Sequence, residues 1–120
     1  MSQLQIAVIE DDDLVRSATG SLLRSLGHRV ALYPSAEDFL QAGPPETDCV
    51  LSDQRMAGRS GLDLLEQLAA DGRTVPFILM TAFLTPGLDD RARALGAVSV
   101  LEKPFDESAL IGLLGGLAAR

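Results

Sequence analysis

The sequence predicts a single α/β domain whose parallel β-sheet is covered by helices on both faces. Five short apolar runs alternate along the chain with five segments whose apolar residues recur at helical spacing, and the connecting loops are short. Alternation of this kind favours parallel strands joined by helical crossovers. We therefore treat residues 1–120 as one domain, a length that can bury a real core.

The five predicted strands are short and apolar. They cover residues 4–9, 29–32, 49–52, 77–80 and 98–101. Right-handed crossovers leave few topologies for such a chain, and the flavodoxin-like strand order 2-1-3-4-5 fits its length. In this doubly wound order the first and third strands are neighbours, so the residues that follow them meet at one edge of the sheet.

Capping residues and helix breakers place the five predicted helices. Candidate N-caps precede four of them: Asp12 or Asp13, Ser35 (with Asp38 as a capping box), Thr85 and Asp106. Breakers end the first four helices: Gly27, Gly43-Pro44-Pro45, Gly72 and Gly96. Every predicted strand is therefore followed by a helix, which leaves no room for a linker or a repeat.

The composition excludes several classes of function. The formal net charge is −7, so the domain lacks the basic face that direct nucleic-acid binding needs. One cysteine, Cys49, and one histidine, His28, cannot build a disulfide or a zinc site. The first residues do not resemble a signal peptide, and no window reaches the ~18 apolar residues of a membrane helix. We therefore expect a cytoplasmic protein without membrane contact.

Acidic residues follow the first and third predicted strands. Glu10 and Asp11 come directly after the first strand, and Asp53 directly follows the third. Three carboxylates in one crevice repel each other, and a hard cation removes that conflict. Magnesium prefers oxygen ligands and typically uses one or two carboxylates. We expect Asp11 and Asp53 as direct Mg²⁺ ligands, Glu10 acting through water, and the backbone carbonyl of Arg55 completing the protein ligands.

Lys103 and Thr81 end two further strands at the same predicted edge. Carboxylates can serve as nucleophiles for phosphoryl groups and form an acyl phosphate. Lys103 and Mg²⁺ would neutralise the oxygens of a phosphoryl group on Asp53, and Thr81 would donate a hydrogen bond to it. The predicted catalytic set is therefore Asp53 as phosphoacceptor with Thr81 and Lys103.

Five short motifs resemble the receiver domain of two-component response regulators, whose fold is also called CheY-like. They are Val8-Ile9-Glu10-Asp11-Asp12, Ser52-Asp53-Gln54-Arg55-Met56, Ser60-Gly61-Leu62, Met80-Thr81-Ala82 and Glu102-Lys103-Pro104-Phe105. Each motif is short, but five in order at matching spacing form a specific signal over the whole chain. The second and fifth motifs are similar to those of the FixJ-like subgroup.

The resemblance implies a Mg²⁺-dependent transfer of a phosphoryl group from a sensor histidine kinase to Asp53. The domain would not be an enzyme in its own right, since it takes part only in its own phosphorylation and slow dephosphorylation. Phosphorylation would shift the face formed by the fourth helix, fifth strand and fifth helix, and so control a fused or separate output domain. A homodimer formed on phosphorylation and a cis Lys103–Pro104 bond are further expectations.

Two positions depart from the family pattern. Ala57 stands where family members often carry proline, so we expect a looser loop after the third strand. Val100 stands at the switch position, which is usually Tyr or Phe and moves together with the counterpart of Thr81. Because valine has no ring to swing inward, either the switch is smaller here, or Phe83 or Phe105 takes part.

Three other functions compete with this interpretation. A flavin-binding carrier of the same fold would need a glycine- and hydroxyl-rich phosphate loop after the first strand, where this chain has four acids. A phosphatase with an aspartate nucleophile would carry a second acid two residues later, where this chain has Arg55. A degenerate receiver that binds partners without phosphorylation is supported by Val100 alone, since the other key residue types are present.

Overall fold

The computed structural model describes residues 3–42 and 46–119, which form ten alternating strands and helices. The elements are β1 (Gln5–Ile9), α1 (Asp13–Ser25), β2 (Arg29–Tyr33), α2 (Ala36–Ala42), β3 (Cys49–Asp53), α3 (Gly61–Ala70), β4 (Phe77–Thr81), α4 (Pro86–Ala94), β5 (Ser99–Glu102) and α5 (Glu107–Ala118). All strands are parallel, in the order β2-β1-β3-β4-β5, which confirms the predicted flavodoxin-like fold. The predicted breaker Gly43-Pro44-Pro45 lies outside the described residues.

The strand boundaries differ from the prediction by about one residue. Asp53 is the last residue of β3, and Glu102 is the last residue of β5. Both continue the ladder, since Asp53 pairs with Met80 and Glu102 pairs with Thr81. A hydrophobicity pattern ends a strand before its first polar residue, although the backbone of that residue can still pair.

The sheet buries a separate apolar cluster on each face, because successive strand side chains point to opposite sides. The first cluster packs β-residues against α2, α3 and α4: Ala7, Ile9, Val50, Phe77, Leu79 and Val100 from the strands, with Phe39, Leu64, Leu68 and Ala92 among the helical residues. The second cluster packs against α1 and α5: Ile6, Val8, Cys49, Leu51, Ile78, Met80 and Leu101, with Leu23, Leu110, Leu114 and Leu117. A sheet covered on both faces explains why its strands read as continuous apolar runs.

The helix starts carry the capping residues that the sequence predicts. Asp12, Thr85 and Asp106 each accept a backbone N–H from the first turn of α1, α4 and α5. A reciprocal capping box that was not predicted from the sequence begins α3, where Ser60 and Asp63 each accept the other's backbone N–H. No helix in the described ranges combines the length and the apolar character that crossing a bilayer requires.

Gly61 lets α3 begin against the end of β3. A Cβ atom at this position would lie 2.5 Å from the carbonyl oxygen of Asp53 and 2.5 Å from Cδ1 of Leu79. Both distances are far below van der Waals contact, and the first neighbour is backbone. The close approach of α3 therefore depends on the absence of a side chain at this residue.

Gly61→Ala should lower the free energy of unfolding by about 1–3 kcal/mol, because the added methyl group overpacks the junction of β3 and α3. Urea denaturation of the purified domain measures the loss. Gly112→Ala is the control, since a Cβ there meets nothing within 4 Å. It should raise the free energy of unfolding by up to about 1 kcal/mol, because alanine has the higher helix propensity. Equal stabilities of Gly61→Ala and the wild type would contradict the proposed constraint.

Candidate functional site

Parallel strand pairing gathers the predicted site residues at one edge of the sheet. Asp53 pairs with the residue that precedes Thr81. Thr81 in turn pairs with the residue that precedes Lys103. On the other side of β3, Glu10 directly follows the β1 residue that pairs with Ser52. The carboxyl ends of four strands therefore place these side chains around a common crevice.

Three carboxylates and one ammonium group meet in this crevice. One carboxylate oxygen from each of Glu10, Asp11 and Asp53 lies within 4.8 Å of the other two. The Nζ atom of Lys103 lies 3.0 Å from Oε1 of Glu10 and 3.1 Å from Oδ1 of Asp53. The structure thus brings together the four charged residues that the sequence singled out, and their side chains leave the crevice with net negative charge.

Three of the four charged side chains in the crevice are largely shielded from water, and this shifts the pKa of Glu10 and of Lys103. The side chains of Glu10, Asp53 and Lys103 are 3%, 12% and 25% exposed. Burial raises the pKa of Glu10, Asp53 adds to that effect, and the bond from Lys103 only partly opposes it. Burial alone would lower the pKa of Lys103, but its bonds to Glu10 and Asp53 outweigh this and raise it. Lys103 is therefore a permanent cation at neutral pH.

Asp11 contacts the loop that joins β3 to α3. Its Oδ2 atom accepts the backbone N–H of Ala57 at 3.0 Å. Arg55, whose carbonyl is the predicted fourth ligand, lies between Asp53 and Ala57 in this loop. The residues on either side of Arg55 thus reach the carboxylate cluster, Asp53 as a member and Ala57 through its bond to Asp11.

Side chains of neighbouring segments contact the loop after β3. Besides the bond to Asp11, the loop is tied to α2, where Oε2 of Glu37 accepts the backbone N–H of Arg59 at 3.3 Å. It is also tied to the segment after β4, where the guanidinium of Arg55 lies 4.9 Å from the ring centroid of Phe83. Three neighbouring segments thus contact this loop, and its looseness relative to a loop with proline at position 57 stays a prediction.

The two predicted switch residues differ in their surroundings. Thr81 is buried at the end of β4, and its Oγ1 atom accepts the backbone N–H of Phe83 at 3.2 Å. Val100 is buried in the cluster beneath α2, α3 and α4. Phe105 is partly buried against the opposite cluster, whereas Phe83 is 64% exposed. Of the two aromatic residues considered for the switch, Phe83 is therefore the more exposed.

Two residues that support the site, Arg16 and Glu37, were not predicted from the sequence. Arg16 donates from Nη1 to the carbonyl oxygen of Glu10 at 2.8 Å and pairs with Asp13. The helical spacing of Asp13 and Arg16 could have revealed that pair. No local pattern could have revealed Glu37, because its partner Arg59 is 22 residues away.

Comparison with known families identifies the domain. Residues 6–114 match the family model described as the response regulator receiver domain. This chain belongs to the response-regulator receiver family. The receiver domain also has the cis Lys103–Pro104 bond that the resemblance implied.

The relatives of this receiver domain include the transcriptional regulatory proteins FixJ. It is 45% identical over 109 residues to FixJ of Azorhizobium caulinodans, covering 90% of this chain and 52% of that protein. It is 39% identical over 110 residues to FixJ of Bradyrhizobium diazoefficiens, covering 91% of this chain and 54% of that protein. The receiver domain is thus FixJ-like and spans about half the length of these relatives.

Solved structures agree with this placement. The crystal structure of FixJ-N superposes with a TM-score of 0.87 at 28% identity, covering all of this chain and 97% of that one. The response regulator StyR superposes with a TM-score of 0.88 at 35% identity, covering 99% of this chain and 60% of that one. Both comparisons extend over the whole sheet and all five helices.

Glu10→Gln should become more stable relative to the wild type as pH rises above the ordinary range of a glutamate pKa. The pKa of Glu10 in the folded domain lies above its ordinary value of 4.5, so the folded state binds more protons than the unfolded state at such pH values. Wild-type stability is then lost as pH rises through the raised pKa, whereas the glutamine side chain of the variant does not titrate. Urea denaturation of both proteins without divalent ions measures the difference, and a variant that becomes less stable relative to the wild type as pH rises would contradict the raised pKa.

Proposed function

We propose that this receiver domain accepts a phosphoryl group on Asp53 from a sensor histidine kinase, with Mg²⁺ bound beside it. The observation that carries the proposal is the partly accessible carboxylate of Asp53, paired with Lys103 at 3.1 Å and clustered with two further carboxylates. A structural ion pair needs one acid and one base. Three acids around one base suit a site that receives a cation and then an anionic group.

In the proposed step, a carboxylate oxygen of Asp53 attacks the phosphorus atom of a phosphohistidine. The new P–O bond forms as the P–N bond breaks, and the imidazole nitrogen keeps the electron pair and takes a proton from solvent. Lys103 is held protonated by its neighbours and pairs with a phosphoryl oxygen of the product. The hydroxyl of Thr81, at the end of the next strand, donates a hydrogen bond to the same group.

The donor set fits a hard divalent cation. Glu10, Asp11 and Asp53 offer only oxygen atoms, close enough to share one ion, and the backbone carbonyl of Arg55 is the proposed fourth protein ligand. Bound Mg²⁺ would neutralise the developing charge on the phosphoryl oxygens. Burial and, to a lesser extent, the charge of Asp53 raise the pKa of Glu10, and a bound cation would favour its ionised form.

An apolar groove beside the crevice supports a protein as the phosphodonor. This groove is lined by Val15 and Leu22 of α1 together with Ala82, Phe105 and Lys103. The neighbouring Leu14 is 83% exposed. Exposed apolar surface next to a reactive group is typical of a protein interaction site. We propose that the histidine kinase docks here and presents its phosphohistidine to Asp53 in the cytoplasm.

The output is proposed to pass through α4, β5 and α5 to a fused or separate output domain, with homodimer formation on phosphorylation. The FixJ relatives are transcriptional regulators, and the match covers about half of their length. This supports a separate DNA-binding domain as the output, because the receiver domain itself lacks a basic face. The receiver domain itself would act as a phosphoacceptor and not as an enzyme. With Val100 at the switch position, the exposed ring of Phe83 is the proposed moving aromatic.

Asp53→Asn should abolish phosphorylation, because an amide cannot form the acyl phosphate. The wild type should gain one phosphoryl group from acetyl phosphate with Mg²⁺, measured by intact-mass spectrometry. Asp48→Asn is the matched control, since Asp48 precedes the same strand and lies at its opposite end. Phosphorylation of Asp53→Asn to the wild-type level would place the acceptor elsewhere.

Lys103→Ala should still bind Mg²⁺ but lose the conformational response to phosphorylation. The carboxylates that would hold the ion remain, whereas the cation that pairs with the phosphoryl oxygens is gone. Backbone amide shifts, recorded first during a Mg²⁺ titration and then after addition of acetyl phosphate, separate these two effects. A variant that no longer binds Mg²⁺ would count against the role assigned to Lys103.

A further inference from the structure

We propose that the backbone amide of Ala57 and the carboxylate of Glu37 are positioning groups that orient Asp11 as a metal ligand. The inference rests on the proposed metal site and extends it to two groups outside the ligand set. It concerns this chain in particular, because a proline at position 57 has no N–H to donate.

The first step is the hydrogen bond between the loop and Asp11. Asp11 is exposed, and its Oδ2 atom accepts the N–H of Ala57 at 3.0 Å. An exposed aspartate without such a partner rotates among several rotamers. The bond occupies one carboxylate oxygen and leaves the other for the ion. Hydrogen bonds of this kind orient ligating carboxylates and typically change metal affinity about 10–100-fold.

The second step is the contact between Glu37 and the residues that follow Ala57. Both carboxylate oxygens of Glu37 lie 3.2–3.3 Å from the place where a Cβ of Gly58 would be. Gly58 has φ of +80°, so the chain turns sharply there. Oε2 of Glu37 also accepts the N–H of Arg59 at 3.3 Å. Glu37 therefore fixes the turn directly after Ala57, and with it the direction of the amide that reaches Asp11.

The two contacts act in series. Glu37 does not touch the carboxylate cluster, so its influence on a bound ion must pass through the loop and the Ala57 amide. Its effect on Mg²⁺ affinity should therefore vanish once that amide cannot donate. This dependence distinguishes a positioning role from a general electrostatic attraction, which would persist.

The test compares Mg²⁺ affinities, measured by calorimetric titration, of forms with and without the donor. Ala57→Pro, and a semisynthetic form with lactic acid at position 57 that replaces the N–H by an ester oxygen, should each bind Mg²⁺ about tenfold more weakly. Ala57→Ser keeps the N–H and should match the wild type. The ester keeps the methyl group, so it separates loss of the donor from distortion by the proline ring.

Glu37→Ala completes the test as a double-mutant cycle. It should weaken Mg²⁺ binding severalfold in the wild-type background and have no further effect in the ester form. Glu46→Ala is the charge-matched control, since it removes one exposed acid away from this loop, and it should leave the affinity unchanged. Additive effects of Glu37→Ala and the ester would overturn the assignment of Glu37.

The remaining outcomes separate this inference from the proposed function. A wild-type domain that takes up no Mg²⁺ would overturn both. A wild type that binds Mg²⁺ while the ester form binds equally well would overturn only the positioning role. Circular dichroism should show every variant folded at the titration temperature, and an ester form that has lost its fold would mark the bond as structural and overturn the inference as well.

Discussion

The carboxyl edge of the sheet depends on like charges held close together. Glu10, Asp11 and Asp53 meet within 4.8 Å, and Lys103 alone among their close side-chain partners in the described residues carries positive charge. Such a cluster opposes folding, and burial makes the opposition stronger, as the raised pKa of Glu10 reflects. Its persistence requires a rigid frame around it and favours a bound cation that offsets the excess negative charge.

The frame is the two-sided core. Alternate strand residues fill two separate apolar clusters, so a slip of one residue in any strand would turn its core side chains to the wrong face. The register is therefore strongly specified, and with it the position of Asp53 at the end of β3. Gly61 extends this restraint beyond the strand, because it lets α3 start in contact with the Asp53 backbone. The position of Asp53 at the site is thus set by side-chain packing in the core of the sheet.

Outside the core, side-chain contacts restrain the loop between β3 and α3. Arg55 lies against Phe83, which follows β4, and Glu37 of α2 contacts the backbone around Gly58 and Arg59. The loop is therefore restrained by two neighbouring segments. These contacts lie outside the carboxylate cluster and can change without altering its charge. The same acidic cluster can therefore be combined with different loop restraints, which offers a means of adjusting metal binding and access to the acceptor aspartate.

The sequence by itself determined the order of the elements, the strand topology and the edge at which the charged residues gather. These follow from local periodicity, capping residues and the limited ways of connecting parallel strands. Only the tertiary structure decided the bond from Ala57 to Asp11, the reach of Glu37 to the loop and the direction of the Glu10 pKa shift. The two contacts join residues far apart in the chain, and the pKa shift depends on how deeply the folded structure buries Glu10. Local sequence patterns encode neither long-range contacts nor burial.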